Sequence, residues 1–357
     1  MANLTPRELE LLARRLEPAI RKSFEQAIAA VRSQAQLDLV AELLRAGQID
    51  AVLEALGFDD QQLSPVAESV RQAFVGGADA GMKELPTLSL RQQVRGRYNP
   101  QTEMPLHRFG FDMRNKGVEE WLRTNSSRLI SGIVEDQRVL VRHHLQRAMS
   151  QGTNPRQSAL ELVGRIGKTG RRTGGVVGLT AQQAQFAANV RQQLATGDPS
   201  QMAEYFGRQR RDRRLDGIVK RAIAAGKPVS AADIDKIAGR YADRLLALRG
   251  EMIARTESLT AMNAGREEAY RQQIEAGRLA PENVIGSWSA TGDDRTRHSH
   301  QAMDGQQRPF GQPFQTPSGA YMRFPGDSAL GAGPEETIAC RCTKTYRIDM
   351  AAEMQRG

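Results

Sequence analysis

Apolar residues recur at three- and four-residue steps over most of the chain as far as about residue 280, the spacing of one buried helical face. Helix starts are written in the same grammar several times. Thr5-Pro6-Arg7-Glu8 places an N-cap hydroxyl, a first-turn proline and a glutamate three positions on, which is a capping box. Asn154-Pro155-Arg156-Gln157, Thr180-Ala181-Gln182-Gln183 and Ser230-Ala231-Ala232-Asp233 follow the same pattern. Gly76-Gly77, Gly110 and the glycine-rich run over 164–178 read as punctuation, with hinges near 100–110 and 167–180. The longest pattern is Ile234, Ile237, Tyr241, Leu245, Leu248, Met252, Leu259 and Met262, which predicts one helix from about 231 to 276. Arg255 falls on that apolar stripe, where a lone guanidinium is costly unless it is paired. Thr256, Thr260, Asn263 and Glu267 form a second, polar stripe, fit either for a joint between two domains or for plain solvation.

From about 281 the pattern changes. Asn283 to Trp288 and Thr343 to Ile348 read as short strands, and the stretch between them is loop, with Pro309, Pro313, Pro317, Pro325 and Pro334 among many glycines. The expected class is mainly α: extended helical N-terminal and middle regions followed by a small loop-rich α+β C-terminal module. The expected divisions are a helical region over 1–100, a helical middle over 101–178 ending in a basic glycine-rich linker, a helical region with the long connecting helix over 179–280, the module over 281–350 and a tail over 351–357. A loop-rich module of that size has little apolar area to bury and calls for a staple.

At 357 residues the chain is long for a single core, and 39% hydrophobic with 25% charged residues excludes a disordered or membrane-embedded class. No apolar run approaches a membrane span, and Met1 to Glu10 has no signal-peptide layout, so use outside the secretory pathway is expected. The charge is uneven. Residues 1–90 balance at −4 and 257–357 at −2, whereas 91–256 hold 30 Lys/Arg against 15 Asp/Glu. A basic middle between acidic ends favours a polyanion, DNA first, or an acidic protein surface. The candidate contacts are Lys168, Arg171 and Arg172 in the glycine-rich run, and Arg208, Arg210, Arg211, Arg213 and Arg214 in the densest basic cluster. There the four-residue spacing of Arg208, Asp212, Asp216 and Lys220 also allows helical ion pairs. Gly164 to Thr169 imitates a phosphate-binding loop, but the first required glycine is Leu162 and no strand pattern feeds it, so ATPase chemistry is rejected.

Two cysteines separated by one residue, Cys340 and Cys342, cannot staple distant segments as a disulfide. With His300 they offer three zinc ligands, against a spacing tighter than usual and no evident fourth. A buried thiol pair beside a charged hydrogen-bond network is the alternative, and no other cofactor is expected. Asp294, Arg297, His300, Asp304 and Asp327 admit an acid/base site, but Asp–Arg pairs crosslinking loops account for them as well.

Arg255, Glu257, Asn263, Trp288, Asp294, Arg297, His300, Asp304-Gly305, Pro325-Gly326-Asp327 and Cys340-Arg341-Cys342 fall in order over about ninety residues. This run resembles the Mu F-like phage head morphogenesis (minor head protein) family, with a looser likeness reaching back to Gly178-Leu179-Thr180, Asp212-Arg213-Arg214 and Tyr241. The resemblance implies a minor head protein associated with the portal, acting in procapsid assembly and in DNA packaging or ejection. Its implied partners are the portal protein, genomic double-stranded DNA and other head or scaffold proteins, with no membrane. Its implied location is the head interior near the portal vertex, and the host cytoplasm during assembly. Two other classes stand beside it: an enzyme built on the C-terminal module, such as a nuclease or an ADP-ribosyltransferase-like protein, and a nucleic-acid-binding protein without a virion role. Arg255-Thr256-Glu257 faintly resembles the Arg-Ser-Glu pattern of ADP-ribosyltransferases, but it sits on an expected helix where those enzymes use strands.

Overall fold

A computed structural model describes residues 3–85, 110–167 and 169–356. In chain order the elements are α1 (Pro6–Gln34), α2 (Leu37–Arg45), α3 (Ile49–Ala55), α4 (Asp60–Glu84), α5 (Lys116–Ser150), α6 (Pro155–Val163), β1 (Arg165–Ile166), β2 (Arg172–Thr173), α7 (Ala181–Ala195), α8 (Pro199–Ala203), α9 (Asp216–Ala224), α10 (Ala231–Glu275), β3 (Val284–Ser289), α11 (His298–Gln301), β4 (Gln307–Pro309), β5 (Phe314–Gln315), β6 (Tyr321–Met322), α12 (Pro334–Thr337), β7 (Thr343–Ile348) and α13 (Met350–Arg356). The fold is mainly α, with the small strands concentrated in a C-terminal α+β module, as the periodicity requires. None of the described helices is long and apolar enough to cross a membrane.

The caps form as written. Thr5 N–H donates to the Glu8 carboxylate at 2.8 Å while Glu8 N–H returns a bond to Thr5 Oγ1 at 3.3 Å. Thr180 and Gln183 exchange the same pair, and Ser230 Oγ accepts from Asp233 N–H at 3.2 Å. Asn154 caps α6 through Arg156 N–H alone, because Gln157 turns to Glu161 instead. Gly76-Gly77 does not punctuate. Both lie inside uninterrupted α4, where a Cβ at Gly77 would run into the Met262 carbonyl and one at Gly265 into the Phe74 carbonyl. The missing side chains let α4 and α10 approach backbone to backbone. The hinge expected near 100–110 lies almost wholly outside the described residues.

The described residues gather into two compact units, each assembled from separate stretches. The first, here the helical unit, comprises Arg21–Glu68 and Asn125–Glu251. Its buried side chains include Ile28, Val31, Leu140, Leu162, Val190, Leu194, Ile237 and Leu245. The glycine-rich stretch read as a hinge is built into it. β1 and β2 pair as a short antiparallel hairpin, Arg165 opposite Thr173. Beyond the hairpin, Val176 and Val177 N–H groups donate to Glu161 and Leu162 carbonyls at 3.0 and 2.9 Å. Buried Arg32 donates to the Gly175 and Val177 carbonyls at 2.7 Å, and buried Arg249 to Gly178 O at 2.8 Å. Gln137 closes the segment by donating to Leu179 O and accepting from Gly178 N–H. Every one of these bonds would have to break for the segment to swing, so it is not a hinge.

The second, the module unit, comprises Met1–Ile20, Ser69–Thr124 and Met252–Gly357. Its larger sheet has the order β4-β3-β7, all antiparallel, with Val284 opposite Ile348 and Ser289 opposite Thr343. β5 and β6 form a separate hairpin. One apolar cluster joins Leu9, Leu259, Met262, Trp288, Met303, Phe314 and Met322; another joins Leu85, Tyr270, Leu279, Val284 and Tyr346.

Candidate functional site

The polar stripe of α10 becomes a docking strip for the loops of the module. Thr256 Oγ1 accepts from Ala339 N–H at 2.9 Å, and Asn263 Nδ2 donates to Pro325 O at 3.0 Å. Gly326 has φ +89°, and a Cβ there would strike the Thr260 side chain, so the Pro325-Gly326 turn lies directly on the helix. One turn further, Glu267 accepts from Lys344 Nζ at 2.6 Å and from the Tyr346 hydroxyl. Both partners lie on β7, two residues apart and therefore on one face of the strand. Burial lowers the Lys344 pKa, against the opposing pull of Glu267, while burial raises that of Tyr346.

The costly guanidinium of the long helix is Arg266, not Arg255. Arg266 is 1% exposed and makes a forked pair with Glu84, itself 2% exposed, at 2.7 and 2.8 Å; its other nitrogen reaches Lys344 O at 2.5 Å. Arg255 is 41% exposed, with Glu17 at 3.8 Å, so its expected burial is overturned. The helix turns Arg255 to the rim of a cleft of about 300 Å³ that is also lined by Glu10, Arg14, Glu17, Arg295, Cys340 and Arg341. The signal for Arg266 was available: the stripe through Leu259 and Met262 continues at the next four-residue step to this residue. Glu257 is buried on the same helix.

The motif loops are tied by carboxylates. Asp327 is buried and accepts from Arg323 Nε at 2.7 Å, Arg323 Nη2 at 3.0 Å, and the N–H groups of Arg323 and Ala329 at 3.1 Å. Asp304 Oδ1 accepts from Ala290 N–H at 2.8 Å, and Gly305, at φ +76°, donates to Trp288 O at 2.9 Å. The partner of Arg341 is Asp293, in a two-pronged pair, whereas Asp294 is solvent-exposed. That bond from Arg341, above all, holds the Asp293 carboxyl well below the usual carboxylate range. Arg297 donates to Ile338 O.

Trp288 fills the centre, edge-on to the rings of His300 at 5.3 Å and Phe314 at 5.5 Å. His300, Cys340 and Cys342 come together as the residue types proposed. All three are buried, and His300 Nδ1 lies 3.5 Å from Cys340 Sγ and 3.4 Å from Cys342 Sγ. The ring's Nε2 is 3.0 Å from Glu336 Oε2, off the line of a good hydrogen bond. Glu336 was not foreseen. Burial pushes its carboxyl up, but bonds from Ser318 and Ser299, both 2.8 Å, outweigh this and hold it below its ordinary range. Between the sulfurs, their mutual hydrogen bond pushes Cys342 down and Cys340 up, and burial adds to the rise at Cys340.

The basic candidates fare differently, and the helix expected over 208–214 is absent. The segment is a turn followed by a 3-10 turn over Arg213–Leu215, because Asp212 caps it through Arg214 N–H. Arg211 is held by Asp216, Arg214 by Asp212 at 3.0 and 2.8 Å, and Arg208 by Gln193 at 2.7 Å. Arg210 lies 3.9 Å from Glu251, and Arg172 donates to Gly164 O and Ala35 O. Arg171 and Arg213 are exposed, and Lys168 lies outside the described residues. Lys220, named only in the ion-pair series, and Arg221, Lys227, Lys236 and Arg240, passed over in the sequence, are exposed as well.

A helical protein whose longest helix holds, through buried polar and charged contacts, a loop-rich module with its own His–Cys cluster is the class that fold and site define. Residues 213–345 match the family model described as Phage Mu protein F like protein. Over that stretch, which is less than half of the chain, the sequence is similar to this family, as its motifs had indicated. No curated protein and no solved structure matches the chain.

Proposed function

We propose that this protein is a minor component of a phage head, associated with the portal and acting in head assembly and in passage of DNA into or out of the capsid. The observation that carries the reading is the family match over 213–345, which spans the α10 docking strip and the module loops. In this reading the motif residues are structural: they fix the module, and the lining of its cleft is guanidinium, carboxylate, thiol and apolar groups, with no hydroxyl nucleophile beside a base. The head interior near the portal vertex is the place that fits, with the host cytoplasm as the site of assembly. Partners are the portal protein, other head or scaffold proteins, and DNA.

Contact with DNA rests on the basic middle of the chain, through exposed cations of the helical unit such as Arg171, Arg213, Lys220, Arg221 and Lys227. Low aromatic content favours phosphate contacts over base stacking. Mass spectrometry of purified particles tests the role: a few copies per particle are expected, and absence from particles and proheads would overturn it. For DNA, sequence-independent duplex binding that weakens with salt is expected, and Lys220→Glu with Arg221→Glu should reduce the log–log salt slope by about 2. No binding at low salt would assign the basic surface to a protein partner.

A further inference from the structure

We propose that Cys340, Cys342 and His300 form a binding site for a thiophilic divalent cation, zinc by preference, that staples the start of β7 to α11. Three independent features of the cluster point there. The first is spacing. A tetrahedral centre with bonds of about 2.3 Å to sulfur and about 2.0 Å to nitrogen sets its sulfur and nitrogen donors about 3.5 Å apart. His300 Nδ1 lies 3.5 and 3.4 Å from the two sulfurs, and all three donor atoms fall within 4.8 Å of one another.

The second is the orientation of the imidazole. Nδ1 faces both sulfurs, while Nε2 faces the Glu336 carboxylate at 3.0 Å. A carboxylate beside the far nitrogen, although off the line of a hydrogen bond, favours the ring proton there by its charge and leaves the near lone pair for a metal; a carboxylate is the usual outer partner of a ligating histidine. Glu336 is itself fixed by the hydroxyls of Ser299 and Ser318 at 2.8 Å, and Trp288 closes the ring's flank. The third is the donor set. Two thiolates and one neutral imidazole balance a divalent charge in a buried place and select a soft or borderline ion over calcium or magnesium. The fourth position is left to water or an exogenous donor.

The site answers a need of the module, whose chain between β3 and β7 contains only short strands and two four-residue helices as regular structure. Ala339 precedes the first cysteine at φ +52°, a left-handed backbone that a non-glycine residue adopts at a cost. It places Cys340 and Cys342, two apart, with their sulfurs on the same imidazole nitrogen.

The test uses the untagged full-length protein, stripped with chelator and titrated with cobalt(II). A thiolate-to-cobalt charge-transfer band saturating at one ion per chain, and bleached by zinc, is the expected result. Cys340→Ser or Cys342→Ser should weaken the band by roughly half, as one of two thiolates is lost. On the wild type, where folding of a variant is not at issue, equimolar zinc should raise the tryptophan-detected unfolding midpoint, and chelator should reverse it. No band together with an unmoved midpoint would overturn the site and leave a hydrogen-bonded thiol pair. A band of undiminished intensity in both serine variants would place the metal elsewhere and overturn it equally.

Discussion

In the helical unit, irregular chain is held by guanidinium groups on carbonyl oxygens: Arg32 and Arg249 take three carbonyls of residues 175–178, and Gln137 takes the next amide and carbonyl. In the module unit, charge meets charge: Glu84 with Arg266 and Glu267 with Lys344 join regular elements, and Asp327 with Arg323 and Asp293 with Arg341 hold irregular chain. The first device suits a short segment, whose few unsatisfied carbonyls lie within the span of one guanidinium fork. The second suits a long one, whose many turns bring their own side chains and must be fixed against each other as well as against the helix. The difference teaches where each unit is vulnerable. Losing a donor to a carbonyl costs one or two hydrogen bonds, whereas losing half of a buried ion pair strands a charge.

The largest effect expected from this contrast is at Arg266. Arg266→Met leaves the Glu84 carboxylate buried without its partner and should destabilise by about 3–5 kcal/mol. Both tryptophans, Trp121 and Trp288, belong to the module unit, so denaturant titration followed by tryptophan fluorescence reads the loss where it occurs. Adding Glu84→Leu should restore much of it, and a double variant no better than the single would break the account of this pair.

The helical unit has a pH-dependent weak point instead. His144 is buried on α5, with Nε2 donating to Ser158 O at 2.9 Å and Nδ1 accepting from Arg147 at 2.9 Å. Burial first, and then Arg147, pushes its pKa down to about 4. An unfolded histidine titrates near about 6.5, so between that pH and about 4 the unfolded chain binds a proton that the folded one refuses. Stability is full above the upper value and falls as pH drops through the window, by up to about 3 kcal/mol below it. His144→Gln, which keeps a donor for Ser158, should flatten that part of the stability–pH curve. An unchanged slope would assign the acid sensitivity to other groups.

The smallest effect belongs to the residue that the sequence marked most strongly. Arg255 was read from the sequence as a motif residue on the apolar stripe, yet its side chain is 41% exposed beside Glu17. Arg255→Ala should therefore change stability by less than about 1 kcal/mol. A loss approaching that of Arg266→Met in the same titration would collapse the distinction between the two arginines.

These three residues also mark what was legible. Cap chemistry and apolar spacing located α10 to within one residue at its end, because a long helix repeats its signal many times. The two strands that close the module were legible from their β-branched and aromatic content, but their mutual pairing was not, since it joins positions about sixty residues apart. The His300–Cys340–Cys342 cluster was legible as residue types; its Glu336 backing was not, for a glutamate in a loop carries no mark of burial. Arg255 was misplaced because apolar spacing alone does not say that a polar residue on the stripe is buried. Gly77 misled for a different reason: a glycine needed for helix contact looks, in sequence, the same as one that ends a helix. At 208–214 the pairs that form, Arg211 with Asp216 and Arg214 with Asp212, were not the ones the four-residue spacing suggested, because the segment is not helical.

The Glu84–Arg266 pair has a consequence for inheritance. Arg266 lies within the stretch that matches the family, and Glu84 lies more than a hundred residues before it. A recombination that transplanted only residues 213–345 into another gene would deliver a guanidinium with no carboxylate to receive it, and a helix face stripped of the Phe74 turn that packs on Gly265. The segment that comparison recognises is thus smaller than the segment that can be exchanged, and a viable exchange has to carry the α4 region along with it.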